Sequence, residues 1–377
     1  MIYKHLFFIL LIVSVYGKII RLSYDLVKGY YLYIEIGHDS NYFPIDQQND
    51  ASYFNSIRSD CLNVVMTNYY TENNKTFKRD YIEDKIKLRK YTFSLSFYKV
   101  HYGIEEKKPG GISLSLSSSY LDFSTMHQLK KQGLIDDLLY AFVPMGSISG
   151  YLFIGGSPDE FIKDKRQYIL KMNNNYWGGN LHYVVFDNGN INNGAFVYYN
   201  KDKMIFQAGL GYVYAPQKFI DNFIDKYLKE LFENKLCTIV SIDLDEKAIE
   251  CYKENIKEIP FPKYIDFIIE DYIFRVEMEI FMFSYSNKVR IELRQKEEYT
   301  NQWVLGALFL SNYISVYNYD KKEIIFYNQN KENIFHCDIP GCINTKARYN
   351  KAIVLIGIIE LLLGILINTI IKIKLII

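Results

Sequence analysis

The stretch from residue 204 to residue 216 constrains the fold of this chain more than any other segment. It reads Met-Ile-Phe-Gln-Ala-Gly-Leu-Gly-Tyr-Val-Tyr-Ala-Pro, which is an apolar run, a turn of small residues and an aromatic run. Ile, Phe, Val and Tyr favour strands, and proline is common at the first position of a helix. The segment therefore predicts a strand, a tight loop, a second strand and a helix that begins near Pro216.

A second copy of this pattern lies upstream. Residues 33–37 (Tyr-Ile-Glu-Ile-Gly) lead through residues 43–45 (Phe-Pro-Ile) to residues 48–52 (Gln-Asn-Asp-Ala-Ser). The chain has 377 residues, which is enough for two domains of ordinary size. The repeat predicts two lobes related by an approximate two-fold axis. An Asn- and Gly-rich junction at residues 173–180 separates a first lobe, 18–171, from a second, 172–335.

The composition favours a mainly β fold. Hydrophobic residues make up 49% of the chain, and 35 tyrosines and 25 phenylalanines are among them, so a large core is possible. Apolar residues alternate in several segments, including Phe93, Leu95 and Phe97. Residues 216–234 are the clearest helix, because their apolar positions repeat with helical spacing.

Taken together, the two loops resemble the catalytic loops of the pepsin-like aspartic proteases, the peptidase A1 family. In that family the turn reads Asp-Thr/Ser-Gly-Thr/Ser, and here Gln207 and Gln48 stand in the places of the two aspartates. Five further segments are similar to family segments and occur in the same order: 110–115, 129–135, 150–156, 303–309 and 313–317. The resemblance implies a mainly β, bilobal fold of the double six-stranded β-barrel type with short helices.

The two glutamines bear directly on activity. An aspartic protease uses two carboxylates that share one proton, and an amide has no such protonation step. A slip in the alignment of the first loop leaves Asp46 or Asp50 open as an acid there. The second loop has no such alternative, because residues 204–216 contain neither Asp nor Glu. The sequence therefore predicts no intact catalytic residue and a protein without protease activity.

Two other positions depart from the family pattern. Leu114 stands where the resemblance places a packing glycine behind the first loop. The flap, a hairpin that closes over substrate in the family, has no recognisable counterpart, because residues 77–109 are few and their strand-like part lacks a glycine turn.

Three functions remain open at this point. The first is binding of an extended peptide or protein ligand in the cleft between the lobes, with Tyr53, Tyr212, Tyr214 and Phe309 as candidate lining residues. The second is an active aspartic endopeptidase, which the second loop argues against. The third is a purely structural surface protein with a filled cleft, which Leu114 and the missing flap favour.

The two ends of the chain predict its location. Residues 1–17 have a short basic start, an apolar run and a small-residue end, as in a secretory signal peptide. Residues 352–371 are long and apolar enough for a transmembrane helix, which follows a stalk (336–351) and precedes a cytosolic tail (372–377). The alternative is a cleaved lipid-anchor signal, but the lysines near the C-terminus argue against it. We expect a single-pass membrane protein of the secretory pathway or cell surface, with its body in the lumen or outside the cell.

An oxidising compartment favours disulfides among the five cysteines. Cys237 and Cys251 flank a short loop in the second lobe and are the predicted pair. Cys337 and Cys342 are candidates for a small ring before the membrane segment, and Cys61 has no local partner in the sequence. Asn74, in Asn-Lys-Thr, is the predicted N-glycosylation site.

Other classes of function lack their signatures. The formal net charge is +1 and no basic stripe is present, so the sequence predicts no nucleic-acid partner. The six histidines are scattered without metal-ligand spacing, so it predicts no metal site. No phosphate-binding loop occurs, because the Gly209–Gly211 stretch is too short and lacks a lysine, and we expect no cofactor.

Overall fold

The computed structural model is built mainly of β-strands with a few short helices. It describes residues 20–26, 30–36, 39–46, 64–72, 75–88, 91–101, 112–116, 124–146, 149–172, 176–187, 196–242, 245–257, 259, 261–329 and 332–336.

Twenty-three strands occur in this part of the chain. In chain order they are β1 (Ile20–Leu26), β2 (Tyr30–Ile36), β3 (Asp39–Asp46), β4 (Val64–Glu72), β5 (Lys75–Leu88), β6 (Tyr91–His101), β7 (Ile112–Ser113), β8 (Leu139–Pro144), β9 (Ser149–Ile154), β10 (Tyr168–Lys171), β11 (Gly178–Asp187), β12 (Phe196–Phe206), β13 (Val213–Tyr214), β14 (Cys237–Ser241), β15 (Glu246–Tyr252), β16 (Tyr264–Ile269), β17 (Tyr272–Glu277), β18 (Met282–Tyr285), β19 (Lys288–Lys296), β20 (Gln302–Leu305), β21 (Tyr313–Asn318), β22 (Glu323–Asn328) and β23 (Ile334–His336).

The strands form two sheets. In the first, the order is β10-β22-β21-β8-β9-β1-β2-β3-β7, and β5 joins β2 and carries β4 and β6. In the second, the order is β14-β15-β19-β13-β20-β12-β11-β16-β17-β23, and β18 pairs with β19. The first sheet therefore includes β21 and β22, which lie within the segment predicted to form the second lobe (172–335).

The helices are short and connect the strands. They are α1 (Thr125–Lys131), α2 (Gln217–Phe223), α3 (Lys229–Glu233), α4 (Lys253–Ile256) and α5 (Ala307–Leu310). A π-helical turn (Ile224–Leu228) joins α2 to α3, so the helix predicted over 216–234 is continuous but changes its winding. Single 3₁₀ turns occur at Asp159–Phe161, Met278–Phe281 and Glu297–Tyr299.

Aromatic side chains fill the core between the sheets. Trp177 is fully buried and packs edge-to-face against Tyr317 and Tyr140 of the first sheet. Trp303 is fully buried in the second sheet and packs against Phe219 of α2. Buried aromatic rings contribute large apolar areas and specific ring contacts, so the many tyrosines and phenylalanines stabilise a large core.

Three expectations about the chain can now be compared with the structure. The disulfide between Cys237 and Cys251 is present, and it joins β14 to β15. Within residues 77–109, where the sequence has no recognisable counterpart of the flap, β5 pairs with β6, and the two residues between these strands, Arg89 and Lys90, include no glycine. β5 also pairs with β4. No helix in the described residues is long and apolar enough to cross a membrane, and segment 352–371 lies outside them.

Candidate functional site

The predicted second loop lies where one strand passes between two others. β20 is parallel to β12 on one side and antiparallel to β13 on the other, so it occupies the position between them. The chain leaves β12 after Phe206 and enters β13 at Val213, and it must therefore cross the end of β20. The Gln207 loop (residues 207–212) makes this crossing.

Gly306 at the end of β20 allows the close approach. A Cβ atom at this position would lie 2.1 Å from the carbonyl oxygen of Tyr212 and 2.5 Å from that of Leu210. Distances this short are not found for real side chains, so the crossing requires a glycine here.

Main-chain hydrogen bonds fix the Gln207 loop from both sides. The Gln207 N–H donates to the carbonyl of Leu305 at 3.2 Å, which continues the ladder between β12 and β20. The Ala307 N–H donates to Leu210 (2.7 Å), and the Leu308 N–H donates to Gly211 (3.1 Å). These donors belong to the first turn of α5, whose N–H groups have no partner within the helix. The loop therefore caps α5.

Gln207 itself is almost completely buried, with 8% of its surface exposed, and Ala208 beside it is fully buried. Leu210 and Tyr212, further along the loop, are half-buried. A glutamine side chain supplies an amide donor and a carbonyl acceptor but no ionisable proton. At this position the chain has the means to hydrogen-bond but not to transfer a proton.

A buried ionic network supports the far side of the loop. The Arg294 guanidinium on β19 lies 2.8 Å from Glu246 and 2.7 Å from Glu292, and its centre lies 3.1 Å from the Tyr212 ring centroid. The Tyr214 hydroxyl donates to Glu246 at 2.8 Å. This network attaches β13 to β15 and β19.

The environment of the network shifts two pKa values. Burial would by itself lower the pKa of Arg294, but the hydrogen bonds and charge of the adjacent carboxylates, Glu292 above all, raise it. Burial, together with the negative charge of Glu246, raises the pKa of Tyr214. Arg294 thus stays protonated and Tyr214 stays neutral.

Asp202 is the carboxyl group that precedes the loop most closely on β12. It is buried, the Trp303 indole N–H donates to it at 3.1 Å, and burial raises its pKa. It precedes Gln207 by five residues, or roughly 16 Å along an extended strand. Because neighbouring residues of a strand face opposite sides, an odd separation also places the two on opposite faces. Asp202 therefore does not lie beside Gln207.

The first loop, including Gln48, lies outside the described residues, but its flanking strands are described. In the second sheet Phe206 pairs with Leu305, one residue before Gly306. In the first sheet Asp46 pairs with Ser113, one residue before Leu114.

In this register Asp46 occupies the position in the first sheet that Phe206 occupies in the second. The next residue, Gln47, then matches Gln207, whereas motif alignment assigned Gln48. The two assignments differ by one residue, and in either one a glutamine is aligned with the aspartate of the family motif.

Leu114 stands where the second sheet has Gly306, and it is fully buried. Its carbonyl accepts a hydrogen bond from the Trp177 indole N–H at 2.8 Å and another from the Tyr140 hydroxyl at 3.2 Å. The Trp177 carbonyl in turn accepts from the Phe206 N–H at 2.8 Å. Trp177 therefore connects Leu114 directly to the strand that precedes the Gln207 loop.

The residues predicted to line a cleft between the lobes differ in their burial. Tyr214 (1% exposed) and Phe309 (0%) belong to the core and do not line a cleft, whereas Tyr212 is half-buried beside the loop. Tyr53 lies outside the described residues, as does the predicted glycosylation site, Asn74. Within the described ranges, no group of three or more His, Cys, Asp or Glu residues is arranged to hold a metal ion.

Comparison with known proteins agrees with this architecture. A family model described as eukaryotic aspartyl protease matches residues 83–329, so this chain belongs to that family. The crystal structure of an aspartic proteinase from Irpex lacteus has a similar fold, with a TM-score of 0.59, 12% identity, and coverage of 82% of this chain and 98% of that chain. No curated protein sequence matches the chain. The fold is thus mainly β, bilobal and pepsin-like.

Proposed function

We propose that this chain is a catalytically inactive aspartic-peptidase-like protein that binds an extended peptide or a protein segment. The observation that carries the proposal is Gln207. It occupies a crossing loop whose glycine, main-chain hydrogen bonds and capped helix are intact, and it puts an amide where catalysis needs a carboxyl group. Selective loss of chemistry on a preserved frame is what a change from catalysis to binding requires.

The size of the expected defect supports inactivity. General acid–base catalysis by one group is worth about 10²–10⁴-fold in rate. The mechanism needs two carboxyl groups that share a proton, so one amide in the pair already removes that arrangement. Gln47 and Gln48 extend the same argument to the first loop.

Leu114 supports the inactivity independently, but not the binding. Its side chain is fully buried at the position where the second sheet has Gly306, which the close crossing requires. The two sides of the site therefore differ at this position, and two groups that must share one proton need matched positions.

Binding of an extended ligand fits what surrounds Gln207. The half-buried Leu210 and Tyr212 offer apolar contacts beside a polar amide. Extended peptides bind through main-chain hydrogen bonds, with apolar contacts to their side chains. A purely structural role is the competing proposal, and it requires that these side chains contact no ligand.

The same proposal places the body of the protein outside the cytosol, with segment 352–371 as its membrane anchor. The Cys237–Cys251 disulfide supports an oxidising compartment. Carbonate extraction of membranes from cells that express the full chain tests the anchor. Release of the chain into the soluble fraction would contradict it.

Proteolysis is tested with the full chain and a mixed peptide library between about pH 3 and pH 7. We expect no cleavage that a statine-type inhibitor blocks. Two double variants, Gln207→Asp with Gln47→Asp and Gln207→Asp with Gln48→Asp, separate the two assignments of the first loop. Statine-sensitive cleavage by the wild-type chain would overturn the proposal of inactivity.

Binding is tested with the same library, since an inactive protein retains uncleaved peptides. We expect the immobilised full chain to enrich a subset of peptides, and Tyr212→Ala to weaken that enrichment. Tyr252→Ala is the matched control, because Tyr252 is also partly exposed but belongs to β15 and not to the Gln207 loop. Equal recovery from all three proteins, or no enrichment, would leave the structural role.

A further inference from the structure

β14 is an edge strand without the usual protection. It ends the strand order of the second sheet, and residues 236–242 read Leu-Cys-Thr-Ile-Val-Ser-Ile, with no charge, proline or glycine. Edge strands expose unpaired main-chain groups, and natural proteins commonly protect them with lysine, proline or a bulge. Ile239, in the middle of β14, is 44% exposed.

The hydrogen bonds to β15 show which main-chain groups face outward. The Tyr252 N–H donates to Leu236 at 3.0 Å, and the Ile242 N–H donates to Glu246 at 2.9 Å. Hydrogen-bonded pairs alternate along an antiparallel ladder, so the even-numbered residues of β14 bond to β15. Ile239 and Ser241 therefore direct their N–H and C=O groups away from the sheet. Cys237 also directs its main-chain groups away from β15, but only 3% of its surface is exposed.

β14 is also held rigidly. The Cys237–Cys251 disulfide joins it to β15, and the Leu236 N–H donates to Leu231 of α3 at 2.8 Å. A strand that is already fixed loses little conformational entropy when a partner pairs with it.

We propose that β14 pairs in antiparallel fashion with β14 of a second copy, about a two-fold axis at Val240. In this register Ile239 of one copy faces Ser241 of the other, and the same pair recurs across the axis. Each pair exchanges two main-chain hydrogen bonds. All the outward groups used are on the two exposed residues, and buried Cys237 is not needed.

Charge and symmetry favour a second copy over an unrelated partner. A two-fold axis at Val240 places this residue opposite its own copy, where a charged residue would not be tolerated, and Val240 facing Val240 is a compatible pair. Lys235 and Asp245 lie at equal sequence distances from Val240 on its two sides. The axis therefore brings the lysine of one copy toward the aspartate of the other. Five residues of edge bury little area, so the contact is weak and concentration-dependent.

The register is tested by cysteine cross-linking of the full chain under mild oxidation. Val240→Cys faces its own copy in a pair without hydrogen bonds, the arrangement in which Cys237 and Cys251 are joined at a Cα–Cα distance of 4.1 Å. Ile239→Cys is the control. Ile239 is the more exposed residue, but in this register it faces Ser241 of the other copy and not Ile239. The wild-type chain gives the background from its own cysteines.

We expect Val240→Cys to give a doubled-mass band several-fold stronger than Ile239→Cys or wild type on a non-reducing gel. Adding Ser241→Pro should abolish the band, because it removes an outward N–H and leaves the bonds to β15 intact. Retention of the Cys237–Cys251 disulfide in that variant shows that it folds.

Three results would overturn the proposal. Equal cross-linking at Ile239→Cys and Val240→Cys shows unspecific collision. A monomer alone shows that the copies do not pair, and a cross-linked band of another mass shows that a different protein occupies the edge.

Discussion

The two sides of the candidate site, at Gly306 and at Leu114, have different structures. At Gly306 a loop passes within 2.5 Å of where a Cβ would be and caps α5, and this loop carries the amide of Gln207. At Leu114 a buried side chain occupies the matching position, and its carbonyl accepts hydrogen bonds from Trp177 and Tyr140. One side is a close main-chain crossing, and the other is a packed side chain.

The difference shows that the two halves of a symmetric site are not held by the same forces. The Gln207 loop is stabilised by main-chain hydrogen bonds that require a close approach, so a side chain at Gly306 would be costly. Leu114 is stabilised by burial, so a smaller side chain there would be costly. Trp177 contacts both sides and makes them one packing unit.

Among the variants that test this difference, Arg294→Met should cause the largest loss of stability. It leaves Glu246 and Glu292 without their cation, and breaking a buried ion pair in this way costs about 3–5 kcal/mol. We expect this loss in the free energy of unfolding, measured by denaturant titration. The triple variant Glu246→Gln, Glu292→Gln, Arg294→Met should recover most of the loss. Equal stability of single and triple variants would show that the charges are not what supports β13.

Leu114→Ala should cost about 3 kcal/mol, since it leaves a cavity in the core. Half-buried Leu308→Ala is the control and should cost less. Chemical denaturation followed by Trp177 fluorescence in a Trp303→Phe background measures the effect next to Leu114. A cost below that of the control would mean that Leu114 does not carry the packing of the first side.

Gly306→Ala should cost about 1–3 kcal/mol, because the added methyl group meets two main-chain carbonyls. Gly179→Ala is the matched control, because a Cβ there meets only the end of the Met204 side chain, at 3.8 Å. Unfolding followed by Trp303 fluorescence in a Trp177→Phe background gives the comparison. Equal costs at both glycines would contradict the tight crossing.

The smallest effect should be the pH dependence that Asp202 contributes. Burial raises its pKa above the value in the unfolded chain, so its contribution to stability is present in acid and is lost as the pH rises through the raised pKa. Asp202→Asn should therefore stabilise the protein at about pH 7 relative to about pH 4. Denaturation midpoints of both proteins at both pH values check this, and an unchanged difference would show that Asp202 titrates as in the unfolded chain.

Contacts between segments that the sequence analysis singled out could be predicted where each segment is contiguous. Residues 303–309 and the Gln207 loop are short local motifs, and the structure places them against each other. The Cys237–Cys251 pair was accessible for the same reason, because it closes a hairpin.

Other features depend on contacts between distant residues. Arg294 meets Glu246 only because β15 and β19 are adjacent, although the alternation of apolar and charged residues over 288–296 was a signal. The choice between Gln47 and Gln48 depends on the register of β3 with β7, which a single sequence does not specify. Tyr214 on β13 and Phe309 on α5 were candidate ligand contacts because aromatic residues look alike in a sequence whether they are buried or exposed.

The make-up of the first sheet has a consequence for how the protein is made. Its strands β1 to β9 leave the ribosome first, yet β8 pairs with β21, and β10 pairs with β22, which ends at Asn328. Among the described strands, those of the second sheet all come from β11 onward. The first half of the chain must therefore wait until β22 has been synthesised before its sheet is complete. Such long-range pairing folds slowly, and an early strand left open during synthesis is a natural target for chaperones.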